Sequence, residues 1–524
     1  MATHAQQIDA LFDGWVGADT PGLVVAAVRD GAIVHQGAYG MADLANEVAL
    51  GPRSLIRVGS QTKQFTVLLA LMLEREGKLD MNAPVHRYAP WLGPLPHHVT
   101  LRHLASNTSG MRDFLEALTW SGVSLAAPST RTTARAIIAR HGEMNFPPGE
   151  QMIYCNTGFF LLSEIIEEVS GRSYNELLRA RITGKLGMDD TVLQWRDSQI
   201  LPRLVGHHSR GADGGWERAQ WGLVLGGEGG ISSTLEDMLR WQAHLAQPST
   251  DMADLLARME GPARFANGSL SMYALGFTVT RYRGLRNIGH GGGVAGGRSE
   301  SVRFPDQGAG MVILGNRDDI APFSIARRMA DVVLGDAMAP LPDAAGLRAL
   351  AKAAGMYRQE DGDDVFEVVD TGGVPSFTSQ GGSGGVIEQL ADGEFAPERA
   401  VVHLSFGLPR DGVIPARWCG EGRRYRLVQP GAGSSAALAG AYVNAGLGID
   451  AMVSADGGQL VVRSEYGALR LALSWIERDL LMAMPADAPR RGAGKPWAAV
   501  VRVQGDGLVI STDRTKNLRL ARAG

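Results

Sequence analysis

The chain has 524 residues, 45% of them apolar and 20% charged, with a formal net charge of −4 at pH 7. Those proportions are ordinary for globular domains, and the length predicts two to four of them. Lysine and arginine are scattered, which speaks against a nucleic-acid footprint, and no run reaches the roughly 18 apolar residues of a membrane span. The opening Met1–Gln7 lacks a basic stretch followed by an apolar core, so the expected compartment is the cytoplasm. Cys155 and Cys419 are too few for a disulfide framework or a zinc site. His97, His98, His103, His207 and His208 lack carboxylates at ligand spacing, so no metal or other cofactor is expected.

Residues 7 to 16 place Ile8, Leu11, Phe12 and Trp15 on one helical face. A continuous apolar run from Gly22 to Val28 then turns at Arg29–Ala32 into a second strand, Ile33 to Tyr39. Between Arg57 and Lys78 lies a helix whose interior, Phe65 to Leu73, is apolar nearly all round and therefore belongs in the middle of its domain, with Gly77 as its stop.

At the mouth of that helix stand Ser60 and Lys63, one turn apart on the same face. A deprotonated amine at this spacing can take the proton of a nucleophilic hydroxyl. Lysine occurs only at 63, 78, 185, 352, 495 and 516, against 45 arginines. Arginine cannot serve as a base, whereas a desolvated lysine can. The alternative is a surface lysine near a capping serine.

After a Pro-rich loop, a short helix near Leu101–Ala105 ends in Ser106-Asn107-Thr108-Ser109-Gly110. Tyr154 and Asn156 precede a clear helix through Ile166; on an extended segment a Tyr-x-Asn puts phenol and carboxamide on one side, so Tyr154 could shuttle a proton while Asn156 orients it. The competing reading is a core tyrosine and a helix-capping asparagine. Glu228, with glycines on both sides, is expected to carry a little-covered carboxylate able to hold a substrate cation, or else to be a solvated loop residue. A helix follows from Leu235 to Leu245.

Residues 275 to 315 read as successive strands, with Asn287-Ile288-Gly289-His290-Gly291-Gly292-Gly293 among them. The glycines from 291 to 296 also fit G-x-G-x-x-G, but strand-like sequence follows instead of a helix, which excludes a dinucleotide site. A glycine-rich edge strand beside His290 suits pairing with a substrate backbone. The helix Ala321 to Leu334 closes this part. Beyond Pro342 short β-like segments dominate, and Ala354-Gly355-Met356-Tyr357 returns as Ala439-Gly440-Ala441-Tyr442, which predicts two similar antiparallel barrels. The second holds a long polar insertion, Met482 to Pro496.

Ser60-x-x-Lys63, Tyr154-x-Asn156 and His290-x-Gly292, in that order, resemble the motifs of the penicillin-recognising serine hydrolases, over about the first 335 residues. Leu104–Gly110, Pro148-Gly149 and Leu186–Thr191 support the resemblance. It implies an α/β (α+β) β-lactamase/DD-peptidase-like catalytic domain at 1–337, an antiparallel sheet flanked by helices, followed by all-β barrels at 343–430 and 434–524. It also implies an acyl-enzyme on Ser60, with Lys63 and Tyr154 as proton carriers, Asn156 and His290 beside them, and an oxyanion hole from the N–H groups of Ser60 and Gly293. Members with two trailing barrels are aminopeptidases acting on D residues, in which a loop of the last barrel enters the site; here 482–496, with Asp487, occupies that place. Glu228 and Asp487 would hold the substrate ammonium, although Glu228 stands where a shorter aspartate is expected. The implied substrate is a small peptide, amino-acid amide or ester, without cofactor, nucleic acid or membrane, and the implied assembly is a homodimer. The alternatives are a β-lactamase-like esterase or a D-Ala-D-Ala carboxypeptidase.

Overall fold

The computed structural model describes residues 2–14, 17–93, 95, 98–140, 142–211, 213–379, 383–391, 393–397, 404–486 and 498–524. A six-stranded antiparallel sheet runs in the order Thr278–Tyr282, Leu285–Val294, Gly297–Phe304, Ala309–Gly315, Leu23–Arg29, Ala32–Tyr39. Both faces of its central strands are covered, which is why residues 23–28 form a continuous apolar run rather than alternating. Val24 and Ala26 pack into the core that contains the helix Thr62–Arg75, whereas Leu23, Val25 and Ala27 pack with Ile325, Met329 and Val333 of the helix Pro322–Leu334.

The N-terminal helix is shorter than its apolar pattern suggests. It spans His4–Asp9, capped by Thr3, whose hydroxyl accepts from the Gln6 N–H, and then tightens into a 3-10 turn at Ala10–Phe12. Trp15 lies outside the described residues.

Two closed eight-stranded antiparallel barrels follow, the first from Gly355–Gln359 to Glu421–Leu427 and the second from Gly440–Asn444 to Leu518–Arg522. The sequence repeat marks the same joint in each. Tyr357 donates its hydroxyl to the Ala353 carbonyl and Tyr442 to that of Leu438, both at 2.8 Å. Gly355 and Gly440 take φ values of +155° and +138° just before them. Phe366, Phe377 and Phe406, in mutual ring contact, fill the first barrel with Tyr425. The insertion at 482–496 begins inside the strand Leu480–Pro485, and residues 487–497, with Asp487, lie outside the described residues.

The three parts meet at the turn Thr512–Asn517 of the second barrel. Toward the domain that holds the six-stranded sheet, the Thr512 hydroxyl donates to Glu116 Oε1 at 2.6 Å, Thr515 donates to the other oxygen, and the Asn145 amide donates to the Arg514 carbonyl at 2.8 Å. Toward the first barrel, Lys516 pairs with Asp364, and Ser379 donates to Asp513 at 3.1 Å.

Candidate active site

Ser60 sits in a 3-10 turn, Gly59–Gln61, immediately ahead of the α-helix Thr62–Arg75. The turn requires φ of +56° at Gly59, where a Cβ would lie 2.7 Å from the Gly293 nitrogen. The turn that carries Ser60 and the strand Leu285–Val294 therefore abut at Gly59 and Gly293. Gly292 approaches more closely still, since a Cβ there would meet the Val58 carbonyl oxygen at 1.9 Å. The neighbouring strand Thr278–Tyr282 pairs with this one only as far as Gly289. Among the described residues, the stretch 291–294 thus has no strand partner on that side, although the strand is not at the border of the sheet.

Lys63, in the first turn of a helix whose apolar interior is packed into the core, is completely buried. Its Nζ stands 3.2 Å from Ser60 Oγ, 2.9 Å from Asn156 Oδ1 and 2.5 Å from the Glu228 carbonyl oxygen. Burial pushes its pKa well down; Glu228 and Asp113 oppose that shift and Arg514 adds to it.

Asn156 is the first residue of the helix Asn156–Ser170, so Tyr154 and Asn156 do not share one extended segment as the motif suggests. Both hydrogens that fix Asn156, its backbone N–H and its Nδ2–H, go to Asp113 Oδ2 at 2.7 and 2.8 Å. Asp113 also caps the helix Phe114–Trp120 through its other oxygen. The turn after Leu101–Ala105 props the same region, with Asn107, at φ +57°, accepting from the Cys155 N–H at 3.0 Å.

The Tyr154 hydroxyl is buried. Burial drives its pKa upward, while Ser60 and Arg514 pull it back. Its ring lies under Lys63, with Nζ 4.7 Å from the centroid, and edge-on to Tyr273 at 6.1 Å. His290 presents Nδ1 to the Gly291 carbonyl at 2.6 Å and Nε2 to the Tyr273 hydroxyl at 2.9 Å. A carbonyl can only accept, which assigns the proton to Nδ1 and leaves Nε2 to accept from Tyr273.

Glu228 corrects the expectation of an open carboxylate: it is 1% exposed. The glycines around it let the loop fold back, so that Oε1 accepts from the Gly226 N–H at 2.9 Å. Burial raises its pKa, and its backbone carbonyl, rather than its carboxylate, touches Lys63. Among the described residues no His, Cys, Asp or Glu cluster could hold a metal, and no helix is long and apolar enough to cross a membrane.

Asp113, Tyr273 and Arg514 were not singled out from the sequence. Asp113 carries a local signal, that of a helix-capping aspartate before Phe114, but that signal says nothing about a site. Arg514 reaches Tyr154 from the other end of the chain, with its guanidinium carbon 5.1 Å from the ring centroid.

The family model described as Beta-lactamase matches residues 8–335. A D-aminopeptidase of Cereibacter sphaeroides is 31% identical over 300 residues, 57% of this chain and 57% of that one, and a D-aminopeptidase of Brucella ovis is 29% identical over 359 residues, 67% of this chain and 66% of the other. The chain thus spans a little over half the length of the first of these relatives. The octameric penicillin-binding protein homologue from Pyrococcus abyssi shares the fold over 96% of both chains, with TM-score 0.55 and 19% identity. The D-amino acid amidase from Ochrobactrum anthropi SV3 covers 64% of this chain and 98% of its own, with TM-score 0.52 and 24% identity. The matched segment contains the sheet, the Ser60 turn and every side chain placed around Lys63 except Arg514, and the chain belongs to the beta-lactamase family of penicillin-recognising serine hydrolases.

Proposed function

We propose that the protein is an aminopeptidase that releases an N-terminal D residue from a small peptide, amide or ester through an acyl-enzyme on Ser60. The observation that carries the chemistry is the 3.2 Å approach of a buried, pKa-depressed Lys63 to Ser60 Oγ. Ser60 Oγ attacks the substrate carbonyl as its proton passes to the Lys63–Tyr154 pair, and the new oxyanion is received by the N–H groups of Ser60 and Gly293. The same pair returns a proton to the leaving amine and then activates the water that hydrolyses the ester. Asn156 holds Lys63 toward Ser60 at 2.9 Å.

Specificity for an α-ammonium is supported by the D-aminopeptidase relatives and by a histidine, not a lysine, at position 290. With the Glu228 carboxylate folded inward, Asp487 remains as the proposed ammonium anchor, and the homodimer belongs to the same proposal. A cytoplasmic setting agrees with the two free, buried cysteines.

The test compares D-Ala-p-nitroanilide, its L isomer and p-nitrophenyl butyrate as substrates, with Ser60→Ala as control. Turnover of the D anilide that vanishes in Ser60→Ala supports the reading; turnover of the ester alone makes the protein an esterase, and unchanged hydrolysis by Ser60→Ala removes the site altogether.

A further inference from the structure

Arg514 stands in the turn between the strands Gly507–Ser511 and Leu518–Arg522 of the second barrel, yet its side chain lies in the catalytic domain. Only 17% of that side chain is exposed. The guanidinium carbon is 5.1 Å from the Tyr154 ring centroid, and Nη1 is 3.6 Å from Asp113 Oδ2. That oxygen is the one accepting both hydrogens of Asn156, whose carboxamide oxygen holds Lys63. One continuous path therefore runs Arg514, Asp113, Asn156, Lys63, Ser60, and a second reaches Lys63 through the face of Tyr154.

The turn is anchored as a positioning device has to be. Asn145 clamps it from both sides, its amide donating to the Arg514 carbonyl at 2.8 Å and its Oδ1 accepting from the Lys516 N–H at 2.8 Å. Glu116 takes the hydroxyls of Thr512 and Thr515, and the Arg112 guanidinium donates to the Asn517 carbonyl at 3.2 Å. A guanidinium held over an aromatic face and beside a buried carboxylate fixes the ring and restrains the carboxylate in place. Asp113, held there, accepts from Asn156 and so keeps the amide oxygen, not the nitrogen, toward Lys63.

We propose that Arg514 is a positioning residue for the proton-transfer pair, so that the second barrel completes the frame on which Ser60 is acylated. The inference rests on Ser60 and Lys63 being nucleophile and base. The charged and titratable groups facing Lys63 are Glu228 from its own loop, Asp113 and Cys155 from the helix entries, Tyr154, and Arg514 from the barrel. Of these Arg514 is the cation, and it opposes protonation of Lys63. Removing it raises the Lys63 pKa, leaves less neutral amine at a given pH and moves the acid limb of kcat/KM to higher pH.

The experiment measures pH profiles of kcat and KM for Arg514→Ala, Arg514→Gln and Arg514→Lys in the full chain. For the two neutral variants kcat is expected to fall about 10- to 100-fold with KM within about threefold, and the acid limb to rise by about one pH unit. Arg514→Lys is expected to keep the acid limb in place while losing about tenfold in kcat, because an ammonium lacks the planar fork. Millimolar guanidinium is expected to restore part of the Arg514→Ala activity. A neutral variant that melts cooperatively and retains wild-type kcat and acid limb overturns the proposal. If neither neutral variant folds, the lysine variant decides, and wild-type kcat there overturns it equally. Ser60→Ala, assayed alongside, tells the two readings apart: activity surviving in it dismisses the catalytic assignment, whatever Arg514 does.

Discussion

The carboxylate of Asp113 determines which end of the Asn156 side chain faces Lys63. Oδ2 of Asp113 accepts the Asn156 Nδ2–H at 2.8 Å, which turns the amide oxygen toward Lys63 Nζ at 2.9 Å. With Asp113→Ala the amide is free to flip and present its NH2 group to the amine. We expect kcat to fall about 30-fold, roughly 2 kcal/mol of transition-state stabilisation, with Asn156→Ala giving a similar loss and the double variant little more than either. Additive losses, read from kcat on any turned-over ester, would show the two residues acting separately.

Lys63→Arg tests the base directly. The arginine keeps the positive charge but cannot give up its proton, so kcat/KM is expected to drop at least a thousandfold at every pH, within the range of a lost general base. In the wild type the acid limb of kcat/KM is expected to mark loss of the proton from the Lys63–Glu228 pair, whose pKa values burial moves toward each other, Lys63 downward and Glu228 upward. Glu228→Gln removes the opposing carboxylate and is expected to move that limb to lower pH, measurable in the same profile.

Gly292→Ala probes the contact between the Ser60 turn and the strand Leu285–Val294. The added Cβ would lie 1.9 Å from the Val58 carbonyl oxygen and 2.5 Å from Ser299 Oγ, and the first of these is backbone with nowhere to go. The strand must shift away from Ser60, so we expect about 2 kcal/mol or more of lost stability together with at least a tenfold fall in kcat. A crystal structure of the variant with Gly293 unmoved would contradict this account.

Glu116 makes the docking of the second barrel depend on pH. Burial raises its pKa to about 7, from 4.5, with the Thr512 and Thr515 hydroxyls opposing the shift. Between those two values the folded chain keeps a proton that the unfolded chain has released, so stability falls as pH rises through that window and stays low above it. The fall amounts to roughly 3 kcal/mol. Glu116→Gln carries no such ionisation, and its apparent Tm is expected to exceed that of the wild type at pH 8 by more than at pH 4.5. Equal differences at the two pH values would show that Glu116 does not titrate there.

The elements that the sequence reveals are those whose reasons are local. The helix behind Ser60, the glycine-rich strand at His290 and the Ala-Gly-x-Tyr repeat all sit where their patterns place them, because periodicity, φ > 0 at glycine and a tyrosine bonded four residues back are short-range facts. Glu228 went the other way. Flanking glycines suggest exposure, but the same freedom lets the loop close over its own carboxylate. Tyr154 and Asn156 share a motif without sharing an extended segment, since the helix starts at Asn156 itself. Arg514 could not be read at all. Nothing in Asp513-Arg514-Thr515 differs from any polar hairpin turn, and only the packing of the barrel against Glu116 and Asn145 carries it to Tyr154.

The position of that turn in the chain also sets an order in time. Synthesis runs from residue 1 upward, and domains near the N-terminus fold as they emerge. Ser60, Lys63 and Tyr154 can therefore assemble while the hairpin bearing Arg514 has yet to be translated. A newborn N-terminal domain then holds Ser60 and Lys63 on a frame whose arginine is still missing. With Arg514 in the positioning role proposed above, completion of the site waits for the pairing of Leu518–Arg522 with Gly440–Asn444 as well as for folding of the domain that carries Ser60.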